Sequence, residues 1–279
     1  MQREDVPATD AIWRAAFGPL RAEDTTPPEP RTREDEALDL QHFHHLLGTD
    51  PHGANVAEVG GLVVGFEMAL RRGGQFVLSR LGVSPKYQNR GIGRALLNVA
   101  LSYASGSSEQ YIWSSRDPRA LHSYVREGFV LRPTLRISGR HQEQTIPSSI
   151  RELGEQGLSQ VDAIDQELRG LTRRADIEFW LRAGARLLID DGGGYLLFRG
   201  TRLTALGATS IPVAERLLRS VLCGYRGHPP IEVGWVTAEQ QWAVHEATSC
   251  GATLEVHGAM MARDVEKLPV PYLPNALHG

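Results

Sequence analysis

Between residues 54 and 105 the hydrophobic period of the chain switches from two to about 3.6, and this restricts the fold more than any other feature. Ala54 to Val59, Leu62 to Leu70 and Gln75 to Val83 are rich in Val, Leu and Phe, and are joined by Gly60-Gly61 and Gly73-Gly74. They predict a three-stranded antiparallel meander. A helix follows from Gly91 to Ser105, with Ile92, Leu96, Val99, Ala100 and Tyr103 along one face. Tyr111 to Trp113 then reads as a strand, Pro118 to Glu127 as a helix and Gly128 to Ile137 as a strand. Upstream, Val6 to Phe17 predicts a helix stopped by Gly18-Pro19, and Glu34 to Leu47 a second one ended by Gly48. Thr25 to Pro30, with three prolines, is the loop between them. The order predicts an α+β fold, a mixed, largely antiparallel sheet with flanking helices.

From Ser138 to Ser149 the chain is polar, with no apolar period of either kind, so the boundary is placed there: one domain over residues 1–140 and another over 141–279. The element order then recurs. Helices are expected near Gln156 to Leu168 and Arg174 to Ala183, strands near Arg186 to Ile189, Gly194 to Arg199 and Arg202 to Leu206, and a helix from Pro212 to Leu222. A strand Ile231 to Val236, a helix Ala238 to Ser249 and a strand Thr253 to Met261 complete the parallel, which predicts two tandem copies of one fold.

Thirty Lys and Arg against 33 Asp and Glu leave a net charge of −3, so no global basic field attracts nucleic acid or anionic lipid, and an anionic ligand needs a dedicated pocket. Cys223 and Cys250, the two cysteines, stand far apart, which supports neither a disulfide framework nor a zinc ribbon and fits a reducing cytoplasm. No stretch reads as a signal or a membrane span: the most apolar window, Leu62 to Leu70, carries Glu67 in its middle.

The chemistry is concentrated in Gln88-Asn89-Arg90-Gly91-Ile92-Gly93-Arg94-Ala95, between an apolar strand and an amphipathic helix. A helix start leaves backbone N–H groups unpaired and carries positive dipole character, so it suits phosphate oxygens. Gly91 and Gly93 clear the approach, and Lys86, Arg90 and Arg94 add charge. A dinucleotide fingerprint would need a third glycine within a βαβ unit, and a Walker loop Gly-Lys-Ser/Thr; neither is present. Asp117 to Phe129 is a second motif. Asp117 can cap a helix, Pro118 suits its first turn, Gly128 can end it, and Ala120 and Tyr124 share a face.

Q-x-x-G-x-G after Leu81-Gly82-Val83, followed by Asp117-Pro118 with Ala120 and Tyr124 before Gly128-Phe129, resembles the GNAT superfamily of acetyl-CoA-dependent N-acetyltransferases. The matched motifs span about residues 81 to 129, and the element order extends the resemblance over roughly residues 1 to 137. It implies that acetyl-CoA lies in a V-shaped gap between the strand ending at Val83 and the one near Tyr111. Leu81, Gly82 and Val83 would offer backbone to the pantetheine arm, and Gln88, Asn89, Arg90, Gly91, Ile92, Gly93 and Arg94 would hold the pyrophosphate. Asp117, Ala120 and Tyr124 would border the arm, with Tyr124 protonating the departing thiolate.

Many members of the family carry a carboxylate on the strand before the loop; Phe76 to Leu81 has none, which leaves Glu67 on the neighbouring strand as the candidate base, or a water relay. The apolar tail Leu268 to Leu277 could bring Gly279 toward the site, as in some tandem relatives. The family usually begins with a strand, whereas here Val6 already enters a helix. Gly207 to Pro212, the counterpart of the phosphate loop in the second half, has one glycine and no basic residue, with Ser210 placed to cap the next helix; this half reads as a degenerate copy. Asp165 to Gly170, Arg173-Arg174 and Glu178 to Trp180 are either a substrate lining or a solvated helix face. His42, His44 and His45 are not spaced to share a helical face, so no metal is expected. Glu36 and Asp39 either border an amine-binding groove or form a solvated face.

The expected function is acetyl transfer to a primary amine on a small molecule or a protein, by a cytoplasmic monomer or homodimer without nucleic-acid or membrane partners. The competing class is an acyl-CoA-binding sensor or scaffold without turnover, and a third possibility is transfer of a longer acyl group.

Overall fold

The computed structural model describes residues 1–22, 32–142, 145–275 and 277–279. The expected loop Thr25 to Pro30 lies outside the described residues. The chain packs as two units, Met1–Phe129 and Val130–Gly279. The division falls between Phe129 and Val130 rather than near 140, because the strand that starts at Val130 pairs with strands of the second unit.

In the first unit, helices α1 (Val6–Ala22) and α2 (Arg33–Thr49) precede strands β1 (Ala54–Val59), β2 (Leu62–Arg72) and β3 (Gln75–Val83). Helix α3 (Ile92–Tyr103), strand β4 (Glu109–Ser114) and helix α4 (Pro118–Arg126) follow. The meander is as expected: β1 and β2, and β2 and β3, pair antiparallel, and β4 joins β3 in parallel. Helix α1 runs beyond Phe17 through Gly18-Pro19, correcting the expected stop. The fixed φ of proline is helical, so the interruption costs an amide donor without turning the chain. Helix α2 starts at a capping box in which the Thr32 hydroxyl accepts from the Asp35 amide at 3.2 Å and Asp35 accepts from the Thr32 amide at 2.9 Å.

The two faces of this sheet are covered differently. Phe66 on β2 meets Trp13 of α1 and Phe43 of α2 edge-on, with ring centroids 6.5 and 5.7 Å away. Arg80 on β3 lies over both of those rings and is ion-paired with Asp39 at 2.6 Å. Helices α1 and α2 therefore cover one face. On the other, a Cβ at Gly65 would lie 3.1 Å from Leu96 and 3.3 Å from Ile92, so α3 sits close against β2. Side chains alternate along a strand, which places Glu67 on the α3 face with Gly65.

The second unit contains β5 (Val130–Ser138), β6 (Ile150–Glu152), α5 (Leu158–Arg169), α6 (Arg174–Arg182), β7 (Arg186–Asp190), β8 (Gly194–Arg199) and β9 (Arg202–Ala208). It continues with α7 (Ile211–Leu222), β10 (Glu232–Val236), α8 (Gln241–Ser249), β11 (Thr253–Arg263) and β12 (Tyr272–Leu273). Its strands run in the order β11-β5-β10-β9-β8-β7-β6, with β12 on β9. The apolar face of α7, with Val213, Leu217 and Val221, packs over Leu196 and Leu206 of the sheet and against Trp242 and Ala247 of α8. Each unit is thus a mixed, largely antiparallel sheet with flanking helices, and the fold is two tandem copies of one α+β pattern. Among the described residues no helix is long and apolar enough to cross a membrane.

Candidate active site

The first unit contains a forked pair of strands. Parallel pairing of β3 with β4 runs from Gln75 and Glu109 to Leu78 and Ile112. On its other edge β3 stays paired with β2 as far as Val83. Leu81 and Val83 therefore keep main-chain groups on the β4 side with no strand among the described residues to receive them. One is partly served: the Gln88 side-chain amide donates to the Val83 carbonyl at 3.1 Å.

The loop below the fork is shaped to approach an anion. Asn89 and Gly91 have φ of 60° and 80°, and Gly91 takes the N-cap position of α3 with no side chain capping the helix. The first α3 bond runs from the Ala95 amide to the Gly91 carbonyl at 3.0 Å, so the preceding amides have no intrahelical acceptor. A Cβ at Gly91 would meet open space, and one at Gly93 would make only an ordinary contact, 3.7 Å from Val83. Neither backbone conformation nor packing requires a glycine at position 93, yet a glycine inside a helix costs about 0.5–1 kcal/mol relative to alanine. What its absent side chain preserves is space beside Val83 and the uncapped amides. Arg90 lies over the Tyr87 ring, and Arg90, Arg94 and Lys86 are exposed around the loop. A phosphate group fits this donor set.

Gly82 has a different cause. Its Cβ would fall 2.9 Å from the Phe66 ring, so the glycine is needed for packing on the α1–α2 face.

Helix α4 approaches the same loop. The Asp117 carboxylate caps it by accepting from the Arg119 amide at 2.9 Å, and also receives the Arg119 guanidinium at 3.1 and 2.7 Å. Hydrogen bonding from Arg119 holds the Asp117 carboxyl below its ordinary range. Arg119 then donates to the Gln88 side-chain oxygen at 2.9 Å, linking the second motif to the phosphate loop. Arg119 was not singled out from sequence, although an arginine two residues after a capping aspartate was a readable signal. Ala120 is half-buried and Tyr124 buried, with Phe129 edge-on to Tyr124 at 6.5 Å. Burial, helped by the Asp117 charge, pushes the Tyr124 phenol well above its ordinary value, so it stays protonated throughout the neutral range.

Glu67 is fully buried. Asn55 on β1 donates to its Oε1 at 2.6 Å, while Oε2 has no hydrogen-bond partner. Burial raises its pKa to about 8 against the opposing effect of the Asn55 bond. The fold thus brings together Val83, Gln88, Asp117 and Arg119 by direct contact, and no hydrogen bond among the described residues joins Glu67 to them or to Tyr124. Of the other acids weighed from sequence, Glu36 bonds Arg14 at 3.1 Å and Asp39 pairs with Arg80.

In the second unit the expected cap is corrected: Ser210 stands at the N-cap of α7, but its side chain makes no capping bond. Asp165 and Arg173 line neither a substrate site nor a solvated face. They form a buried pair at 3.1 Å, with Tyr195 donating to Asp165 at 2.5 Å. Gly279 is held by the same cluster, its oxygen accepting from Arg173 and, at 2.6 Å, from Tyr272.

A forked parallel pair above a glycine-rich helix start, inside a largely antiparallel sheet, matches the GNAT class of folds. Residues 50–131 match the family model described as Acetyltransferase (GNAT) domain. Over its whole length the chain superposes on a candidate acetyltransferase from Pyrococcus horikoshii with a TM-score of 0.81 at 20% identity, covering 100% of this chain and 94% of that one. A GCN5-related N-acetyltransferase from Sphaerobacter thermophilus gives a TM-score of 0.58 at 15% identity, covering 97% and 96%. One from Kribbella flavida gives 0.60 at 14%, covering 94% and 70%. These similarities establish the fold. A search of curated proteins returns no match.

Proposed function

We propose that the protein is an acetyl-CoA-dependent N-acetyltransferase that passes the acetyl group directly to a primary amine in a ternary complex. The observation that carries the reading is Gly93. In a GNAT domain, a helix start without a side-chain cap has kept beside it a space that neither φ nor packing demands. In this reading the first-turn amides of α3, with Arg90 and Arg94, bind the pyrophosphate, and the unpaired edge of β3 at Leu81–Val83 orients the pantetheine arm. The bound donor supplies an activated thioester carbonyl.

Tyr124 is the general acid: burial keeps its proton in place until a thiolate develops beside it. Tyr124→Phe is expected to lower kcat roughly 100-fold while leaving the Kd for acetyl-CoA within about twofold. Unchanged turnover would remove Tyr124 from the mechanism. Glu67 is the proposed proton acceptor, and its signature is an activity limb rising with pH near 8 that Glu67→Gln abolishes.

One observation favours the second reading, an acyl-CoA sensor without turnover: near neutral pH Glu67 is held largely as a neutral acid, away from solvent. The test of both is calorimetric titration with acetyl-CoA and desulfo-CoA, followed by release of free thiol over a panel of primary amines. Binding with thiol release supports the enzyme, binding without release the sensor, and no binding overturns both. The second unit, in this proposal, has lost acyl-CoA binding.

A further inference from the structure

The second unit has an open cleft of about 730 Å³ that the proposed acetyl transfer does not use. It lies between the segment after β5 and the turn after α7, which are fastened by two backbone bonds. Gly139 donates to the Ile231 carbonyl at 3.1 Å and Gln142 to the Cys223 carbonyl at 3.2 Å. The volume is that of a small-molecule site.

The polar groups on its wall are unequally engaged. Gln142 is committed, its Nε2 donating to the Cys250 carbonyl at 2.6 Å while its Oε1 faces the Cys223 thiol at 4.0 Å. Arg151 gives one bond to Asp191, at 2.5 Å. Arg226 makes no ion pair among the described residues; its guanidinium rests over the Tyr225 ring, 5.2 Å from the centroid. The nearby carboxylate that feels its charge, Glu152, is already bonded twice by Arg186, at 2.9 and 2.8 Å. His141 lies against Gly224, where a Cβ would stand 2.9 Å from Nδ1, so that glycine lets the imidazole sit at the wall. The rest of the lining includes Ile146, Pro147 and Ile150, with no carboxylate among the described residues.

A cleft whose described lining brings two arginines together with aliphatic side chains is complementary to an amphipathic anion. We propose that it binds a small organic anion, a carboxylate or phosphate carried on an apolar body. Arg226 and Arg151 take the head group, and Ile146, Pro147 and Ile150 pack against the body. The site lies wholly within the second unit and is independent of the acetyl-CoA assignment.

The test is calorimetric titration of the full chain, at fixed ionic strength, with hexanoate and with hexyl phosphate. Hexanol and inorganic phosphate serve as probes carrying one feature each. At least one of the two amphiphiles is expected to saturate at one site per chain, with both single-feature probes at least roughly tenfold weaker. Arg226→Ala is expected to weaken that binding roughly tenfold and Arg226→Lys to restore most of it, with the thermal midpoint of each ligand-free variant unchanged. Which amphiphile binds identifies the head group. Failure of both to saturate, or equal binding by wild type and Arg226→Ala, overturns the proposal. Inorganic phosphate binding as tightly as hexyl phosphate overturns the role of the aliphatic wall.

Discussion

The ends of β3 and β9 occupy the same place in their respective units and solve one problem in opposite ways. Each strand keeps its antiparallel neighbour along its length while its parallel neighbour diverges: β4 leaves β3 after Leu78, and β10 touches β9 only where Glu232 meets Arg202. In the second unit β12 fills the gap. Tyr272 and Leu273 pair with Gly207 and Leu206, and the Ala208 amide donates to the Pro271 carbonyl at 3.2 Å. In the first, no strand pairs with Leu81–Val83 on that side among the described residues. Diverging parallel strands leave backbone groups that need partners. One copy meets that need with its own chain, and the other, in the proposed function, leaves it to a ligand.

The sharpest way to break this comparison is to close the open fork. Gly91→Glu places a side chain at φ +80° and a carboxylate where phosphate is proposed to sit. Wild type is expected to bind one acetyl-CoA per chain and the variant none detectable by calorimetry, with the fold retained by circular dichroism. A stoichiometry of two would show that β12 does not block the second unit. The next largest effect tests what keeps the closed fork closed. Arg173 is buried, paired with Asp165, bonded to Tyr195 at 2.7 Å and to Gly279, and stacked over Tyr272 of β12. Arg173→Met strands the Asp165 charge, and a loss of about 3–5 kcal/mol in urea unfolding is expected. An unchanged midpoint would mean that β12 is held without Arg173.

The open fork was legible in the sequence and the closed one was not, for a physical reason. Gln88 to Arg94 and Asp117 to Phe129 are contiguous, and their geometry is local: a left-handed N-cap, a capped first turn and a glycine stop at Gly128. The elements of both units could likewise be read from period and punctuation, apart from β6 and β12, three and two residues long. Tyr272 reaches Gly207 across more than sixty residues, and Asn55 reaches Glu67 through a cross-strand register that no short window contains. Burial of Asp165 and Arg173 was hidden because a charged helix face reads as solvated until its partners are known. The boundary near Val130 was hidden similarly, since pairing with β10 and β11 is set by residues a hundred positions away.

Glu67 sharpens the comparison at the level of protonation, since its unpartnered oxygen lies buried in the unit with the open fork. Its folded pKa, about 8, is above the ordinary 4.5, so the native state binds the proton more tightly than the unfolded chain. The contribution of Glu67 to stability is therefore full below about pH 4.5, falls as pH rises through the window up to about 8, and is flat beyond. Glu67→Gln removes that titration. Its gain over wild type should be absent near pH 4 and reach on the order of 2–4 kcal/mol by pH 9. Parallel stability profiles for the two proteins would show that Glu67 ionises freely in the native state.

The smallest expected effect concerns how open the first fork is before a ligand arrives. The Gln88 amide already occupies the Val83 carbonyl, and Arg119 on α4 holds Gln88 from its other end. This is a side-chain version of what β12 does for β9, but made by one exposed arginine, whose contacts in water are worth little. Arg119→Ala should therefore loosen Gln88 and speed acetyl-CoA association about threefold in stopped-flow measurements, with the thermal midpoint unchanged. A slower association that recovers at high salt would give Arg119 the opposite part, a charge that draws phosphate to the loop. A temporary closure predicts acceleration at every ionic strength, because the competitor it removes is a neutral amide on a backbone carbonyl.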